Sequence, residues 1–131
     1  MSKVKANLNR DGLEVQMGND GIVIVKCLAD IPGGRTLDVS VLPSDTKVVK
    51  AGHIIIKDSE NFKPLPLNNQ GTGYASLPTG CSYVGVLKAT VTTKDPRAAI
   101  MTQGQVNGAA SPYEVTSTIK NNLPRIEFLY V

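Results

Sequence analysis

The sequence predicts a mainly β fold, in which a closed β body carries one short C-terminal helix before its final strand and an extended arm at its N-terminus. Short runs rich in β-branched residues recur along the chain, and turn residues such as Pro, Gly and Asp separate them. The chain has 131 residues, of which 41% are hydrophobic, and this suffices for one domain with its own core. We predict an arm over residues 1–21 and a single β-rich domain over residues 22–131.

The first half of the body predicts a series of strands and turns. Residues 22–29 are almost all apolar, which predicts a strand buried on both faces. Residues 37–41 alternate between apolar and polar, which is typical of a strand with one wet face. Residues 48–57 contain three consecutive isoleucines and predict a further strand, followed by a hairpin turn at residues 58–61. Residues 62–67 predict an irregular edge strand, because their two prolines cannot donate ladder hydrogen bonds.

The second half predicts two more strands after a flexible polar loop at residues 68–73. Residues 83–91 form the first of these strands, and Gly85 within it indicates a bulge or a close approach of two backbones. Residues 98–106 form the second.

A helix is predicted next. Ser111, Pro112 and Glu114 have the spacing of a capping box with proline at the first helical position. Val115, Ile119 and Leu123 then fall on one helical face, and Pro124 ends the helix.

The last seven residues alternate as a final strand. Ile126, Phe128 and Tyr130 lie on one face of it, and we expect this face to contact either another subunit or the core. A terminal strand of this kind has to pair within its own sheet or with a neighbouring one.

Few residues in the sequence suit catalysis or metal binding. Cys27, Cys81 and the only histidine, His53, do not have metal-ligand spacing, so we expect no metal site and no cofactor. A Cys–His dyad would make the protein a cysteine-dependent enzyme. The alternative is a strand-edge histidine near solvent and two free thiols, and on that reading the protein is not an enzyme and has no catalytic residue.

The net charge of +3 resides in the arm. Lys3, Lys5 and Arg10 precede the first acidic residue, and the basic and acidic residues after them balance. Such an arm either contacts nucleic acid or an acidic protein surface, or is a solvated terminus. Nucleic-acid binding by a small OB-like domain is an alternative function, but a neutral body with few aromatic residues supports it poorly. No apolar run approaches the roughly 20 residues that span a bilayer, and we expect no membrane contact.

Several stretches together resemble phage head-fibre and head-decoration proteins, particularly the head-fibre family of phages that infect gut Bacteroidetes. They also resemble, more distantly, the lambda-type capsid-stabilising proteins. In these families a glycine and an apolar strand ending in Lys-Asp lead to an aromatic-Lys-Pro hairpin and then to two further strands. The matching positions are Gly52 with residues 54–58, residues 62–64, residues 84–87 and residues 99–107. The resemblance covers residues 31–131.

The resemblance implies a β-barrel or β-tulip-like body and a structural role. Such proteins form homotrimers that dock on the major capsid protein, where they decorate or reinforce the capsid or anchor a head fibre. Their arms often add a strand to the capsid protein, and the candidate contact residues here are Lys3, Val4, Lys5, Leu8, Arg10, Leu13, Val15 and Met17. The implied location is the capsid surface of the virion, after assembly in the host cytoplasm.

By analogy with fibre proteins that touch cells, an alternative function is a surface-exposed binding module for host glycan. Its ligand would contact the loops at residues 68–73 and 107–111.

Overall fold

The computed structural model describes residues 20–130 and confirms a mainly β fold. The predicted arm lies outside the described residues, apart from its last two positions. Two short helices and ten strands make up the described part, together with 3₁₀ turns at Val39–Val41 and Gly108–Ala110. In chain order these helices and strands are α1 (Asp20–Val23), β1 (Ile24–Asp30), β2 (Arg35–Thr36), β3 (Val48–Val49), β4 (Ile54–Lys57), β5 (Phe62–Pro64), β6 (Ser82–Leu87), β7 (Val91–Thr92), β8 (Arg97–Ala98), β9 (Ile100–Asn107), α2 (Ser117–Asn122) and β10 (Ile126–Leu129).

One six-stranded sheet organises the molecule, with strand order β1-β9-β6-β4-β5 and β10 parallel to β9. The long strand β9 pairs with β1 along one side. On its other side β9 pairs first with β6 and then with β10. Two small ribbons, β2 with β8 and β3 with β7, complete the strand pairing of the described part.

The middle of the sheet is buried on both faces because its residues alternate between two apolar clusters. Ile54 and Ile56 belong to one cluster, and Ile55, between them in β4, belongs to the other. The first cluster includes residues of α2 and β10, and the second includes residues near β2, β3 and β8. All three isoleucines are fully buried. Burying each isoleucine contributes roughly 1.5–3 kcal/mol to the free energy of unfolding.

Gly85 has the role that the sequence predicts. The register of β6 against β4 shifts beside this residue, which marks a bulge. A Cβ at Gly85 would overlap the carbonyl oxygen of Met101 in β9, so β6 and β9 approach closely there.

The predicted turn at residues 58–61 is also confirmed. The Asp58 carboxylate accepts hydrogen bonds from the backbone N–H groups of Asn61 and Glu60, both at 2.7 Å. Lys63 lies 3.0 Å from the same carboxylate. The two backbone hydrogen bonds, and then the bond from Lys63, hold the pKa of Asp58 well below its usual range. The turn connects β4 to β5, the edge strand that the sequence predicted.

Four predictions about the strands are wrong. The strand predicted at residues 83–91 ends at Leu87, and the chain returns to a strand only at β7. The strand in residues 22–29 is not buried on both faces, because β1 lies at the edge of the sheet. Residues 37–41 do not form a strand, since the Asp38 carboxylate accepts from the N–H and hydroxyl of Ser40 and starts the 3₁₀ turn. The strand predicted at residues 48–57 is divided into β3 and β4 by a turn in which Gly52 has a φ of 93°.

The predicted helix starts five residues too early. Its N-cap is Thr116, whose hydroxyl accepts from the N–H of Ile119 at 3.4 Å. Ser111 instead ends the preceding 3₁₀ turn, and its hydroxyl donates to the carbonyl of Asn107. Of the predicted apolar face, only Ile119 lies within the helix. Val115 precedes the N-cap and Leu123 is the C-cap, although both also belong to the first core cluster.

Candidate functional site

The outer edge of β1 is the most distinctive surface of the described chain. Antiparallel pairing with β9 covers one side of β1, and among residues 20–130 no strand pairs with the other side. Edge strands of this kind present unpaired backbone donors and acceptors, which makes them templates for pairing with another segment.

Three register shifts interrupt the pairing of β1 with β9, and in two of them the extra residue lies on β1. Between Ile24 and Lys26 the register advances by two residues on β1 and by one on β9, which leaves Val25 as the extra residue. The same shift between Cys27 and Ala29 leaves Leu28 without a cross-strand partner. The exposed apolar residues of β1 are therefore the two bulged ones.

Three large apolar side chains in succession are exposed at this edge. Ile22 in α1 is 55% exposed, Val25 is 47% exposed and Leu28 is 58% exposed. Ile24 and Cys27, between them, instead pack against the first core cluster. The outer edge of β1 together with Ile22, Val25 and Leu28 is called the β1 surface below. Exposed apolar rows of this kind are typical of protein contact sites.

The candidate residues of the arm precede this surface in the chain. All eight of them, Lys3, Val4, Lys5, Leu8, Arg10, Leu13, Val15 and Met17, lie outside the described residues, and their assignment stays a prediction. The described chain begins at Asp20, two residues before Ile22. The arm and the β1 surface are thus continuous along the chain.

The candidate face of the last strand is divided between core and surface. Ile126 is buried in the first cluster and Phe128 packs against that cluster. Tyr130 is 54% exposed. Its ring contacts Gly108, and the Lys120 ammonium lies 4.4 Å from the ring centroid. Pairing of β10 with β9 meets the expectation that the terminal strand joins a sheet. Of the three residues, only Tyr130 presents a large exposed apolar surface.

His53 is buried, so its assignment as a strand-edge histidine near solvent is wrong. Its ring forms edge-to-face contacts with Tyr74 and Tyr113, with ring centroids 5.2 Å and 5.8 Å away. Nε2 lies 2.9 Å from the carbonyl oxygen of Leu65. A carbonyl only accepts, so Nε2 carries the proton in this hydrogen bond.

Burial sets the charge of this histidine. Removal from water lowers the pKa of His53 to about 4, and the hydrogen bond to Leu65 offsets only part of this effect. The imidazole is therefore neutral near pH 7. Tyr74 closes the same cluster, and its hydroxyl accepts from the N–H of Ile54 at 3.2 Å. Burial raises the pKa of Tyr74 above its usual range. Through these ring contacts His53, which directly precedes β4, packs against Tyr74 in the segment between β5 and β6 and against Tyr113 in the segment between β9 and α2.

Both cysteines are free thiols, as the sequence predicts, although each is only half-buried. The thiol of Cys27 lies 3.7 Å from the carbonyl oxygen of Ala29. Among residues 20–130, no group of three or more histidine, cysteine or acidic side chains is placed to hold a metal ion.

The two loops considered for glycan binding use polar groups internally. The Asn68 side-chain oxygen accepts from the N–H of Thr72, and its backbone N–H donates to Gly73. The side-chain oxygen of Asn107 accepts from the N–H of Ala109 at 3.1 Å. These hydrogen bonds stabilise the conformation of both loops.

Sequence reasoning missed the β1 surface because its apolar run predicted a buried strand. The available signal was position, since this run directly follows the polar arm. None of the helices in the described part is long and apolar enough to cross a membrane. Comparisons with protein-family models, with curated proteins and with solved structures found no match.

Proposed function

We propose that this chain is a structural virion protein that decorates or reinforces a tailed-phage capsid, or anchors a head fibre, by docking on the major capsid protein as a homotrimer. The observation that carries the proposal is the β1 surface. It is a sheet edge that no strand of residues 20–130 pairs with, it has three exposed apolar side chains, and it follows a basic arm in the chain. Function in this protein then depends on shape and strand pairing, with no catalytic group and no cofactor.

The resemblance to head-decoration proteins supports the choice of a capsid as partner. Its four matching stretches coincide with elements of the main sheet. Gly52 precedes β4 and residues 54–58 contain it, residues 62–64 form β5, residues 84–87 lie in β6, and residues 99–107 contain β9. The four stretches therefore correspond to four strands of the main sheet, β4, β5, β6 and β9.

Electrostatics and multivalency support the role of the arm. Three basic side chains within the first ten residues favour an acidic docking surface. In a trimer, three arms bind the same particle, and each contact after the first is effectively intramolecular. Weak contacts by individual arms then give stable attachment without any large interface on the body.

Cosedimentation with phage heads tests this proposal. The full chain is incubated with heads that are assembled, without accessory proteins, from the genome that encodes it. We expect the full chain to sediment with the heads and to be a trimer by light scattering. Deleting residues 2–20 should abolish sedimentation and leave the circular dichroism of the body unchanged. If the truncated protein decorates heads at wild-type occupancy, the arm does not mediate docking.

A charge-matched pair of variants separates a specific arm from general positive charge. The arm variant carries Lys3→Gln, Lys5→Gln and Arg10→Gln. The control removes the same charge from exposed lysines of the body, with Lys47→Gln, Lys50→Gln and Lys57→Gln. We expect the arm variant alone to lose binding. Equal loss in both variants would indicate nonspecific attraction, and absence of the chain from purified virions by mass spectrometry would refute the assignment to the capsid.

A further inference from the structure

A cavity of about 240 Å³ lies between β3, the turn before β4 and the segment that connects β9 to α2. Its wall is mainly apolar and includes Leu42, Val49, Leu67 and Pro112. None of its lining residues within residues 20–130 belongs to the β1 surface. A cavity of roughly 150 Å³ is large enough to hold benzene, so this one has room for an aromatic ring with one or two substituents.

His53 offers a hydrogen-bond acceptor to this cavity. It lines the cavity and is only 3% exposed. Because Nε2 donates to the Leu65 carbonyl, Nδ1 carries the lone pair of the neutral imidazole and only accepts. In the described part of the chain no donor contacts Nδ1, and no fully buried side-chain nitrogen or oxygen there lacks a partner. Nδ1 is therefore reached from the cavity, where a bound molecule with a hydrogen-bond donor satisfies it.

Hydrogen bonds hold the wall of the cavity in place without a ligand. The hydroxyl of Thr93 donates to the carbonyl of Thr46 at 2.9 Å, and its backbone N–H donates to the carbonyl of Lys47 at 3.0 Å. The backbone N–H of His53 donates to the carbonyl of Lys50 at 3.2 Å and closes the turn before β4. The site is thus preformed, as small-molecule sites usually are.

Two lysines give the mouth of the cavity a positive charge. Lys47 and Lys50 both line the cavity and are exposed to solvent. No acidic residue of the described part lines it. An anionic group at the mouth is attracted by both lysines and keeps part of its hydration, which avoids the cost of burying a charge.

The cavity therefore fits a ligand with an apolar ring, a hydrogen-bond donor at its inner end and an anionic group at its outer end. A sugar fits poorly, because the apolar wall would leave most of its hydroxyl groups without partners. An aromatic ring packs against such a wall, and the ring of Tyr113 lines it as a further aromatic contact. A hydroxyl group opposite a carboxylate on that ring supplies the donor and the charge.

We infer that this cavity binds a small hydroxylated aromatic carboxylate. Its hydroxyl donates to Nδ1 of His53, its ring packs on the apolar wall, and its carboxylate faces Lys47 and Lys50. This binding site is separate from the docking surface of the proposed function, and occupancy of one does not require the other. A ligand that binds only the folded chain also stabilises the body in proportion to its occupancy.

Nuclear magnetic resonance of the full chain with 4-hydroxybenzoate at pH 7 tests the inference. His53 is the only histidine, so its ring nitrogens give an unambiguous signal. We expect a dissociation constant of about 1 mM or lower, and a saturable shift of the Nδ1 resonance that exceeds the shift of Nε2. Benzoate lacks the donor and phenol lacks the anion, so each should bind about two- to tenfold more weakly. The advantage of 4-hydroxybenzoate over phenol should shrink at high salt.

Two matched pairs of variants locate the site. Val48→Phe extends a half-buried side chain that lines the cavity and should weaken binding by more than about tenfold, whereas Val91→Phe in the neighbouring strand β7, outside the cavity, should not. The double variant Lys47→Gln with Lys50→Gln should weaken binding of 4-hydroxybenzoate to the level of phenol. Lys26→Gln with Lys57→Gln removes the same charge elsewhere on the surface and should have no effect.

Other results would overturn the inference. Absence of a saturable Nδ1 shift at about 10 mM 4-hydroxybenzoate would show that the cavity does not bind this class of ligand. Binding that leaves Nδ1 unmoved would place the ligand elsewhere on the chain. Equal affinity for benzoate would refute the role of His53, and equal affinity for phenol, or equal losses in the two lysine pairs, would refute the role of Lys47 and Lys50.

Discussion

Replacing Gly85 by alanine should weaken the pairing of β6 with β9 in the main sheet and so lower the free energy of unfolding. A methyl group there would overlap the carbonyl oxygen of Met101 and lie 3.0 Å from its carbonyl carbon. Both atoms belong to the backbone of β9 and cannot rotate away as a side chain would. Only two register pairs, Val86 with Met101 and Leu87 with Ile100, join β6 to β9. Relief of the clash therefore has to displace this short contact.

The expected loss follows from the geometry. Overpacking in a well-packed interior costs about 1–3 kcal/mol, and a clash with fixed backbone belongs at the upper end of that range. A loss of about 3 kcal/mol is a large part of the roughly 5–15 kcal/mol that stabilises a typical domain. Urea unfolding followed by circular dichroism at 25 °C measures the change in the free energy of unfolding.

A second glycine provides the control for this substitution. Gly73 is also outside the left-handed region, and the nearest atom to a Cβ there is the Asn68 side-chain nitrogen at 3.5 Å, an ordinary contact. Gly73→Ala should therefore change the free energy of unfolding by less than about 1 kcal/mol in either direction. If Gly85→Ala unfolds at the same urea concentration as the wild type, the close approach of β6 and β9 is refuted.

The other predictions concern the core, the buried histidine and the helix cap. Ile55→Ala should lower the free energy of unfolding by about 2–5 kcal/mol because Ile55 is fully buried, whereas Ile22→Ala, at a position 55% exposed, should change urea unfolding by less than about 0.5 kcal/mol. Because the pKa of His53 is about 4 when folded and 6.5 when unfolded, stability is fully present above pH 6.5 and falls by about 3 kcal/mol as the pH drops to 4. Urea unfolding of His53→Gln at a series of pH values should lack this fall in stability between pH 6.5 and 4. An equal pH dependence in both proteins would contradict the assignment of the fall to His53. Thr116→Ala should lower the free energy of unfolding by about 1 kcal/mol, and Glu114→Gln should leave it almost unchanged, both measured by thermal unfolding. The reverse order would indicate that the helix begins with a capping box at Ser111 instead of an N-cap at Thr116.

The sequence was most informative where the local pattern and the core agree. Three consecutive isoleucines predicted a strand buried on both faces, because a strand with one wet face would carry a polar residue among them. All three are buried in β4. Gly85 predicted a close approach because only a residue without a side chain fits where two backbones meet. The end of α2 before Pro124 followed because proline lacks the backbone N–H that would continue a helix.

Predictions failed where a nearby group competed for the same hydrogen bonds. Ser111 had the right spacing for an N-cap, but its hydroxyl donates to Asn107 and ends a 3₁₀ turn. The β1 surface escaped prediction for a different reason. An apolar run predicts a β-strand but does not show whether that strand occupies the centre or the edge of a sheet. The bulges at Val25 and Leu28 arise only from the register of β1 with β9.

The pairing of β1 with β9 has a consequence for the order of events on the ribosome. β1 is made first among the described strands, yet the strand it pairs with is completed about 77 residues later (107 − 30). At a synthesis rate of roughly 5–20 residues per second, β1 waits on the order of 4–15 s for its partner. β9 and β10, by contrast, are separated mainly by α2 and emerge almost together. The two C-terminal strands thus become available nearly together, while β1 stays without its partner strand until then.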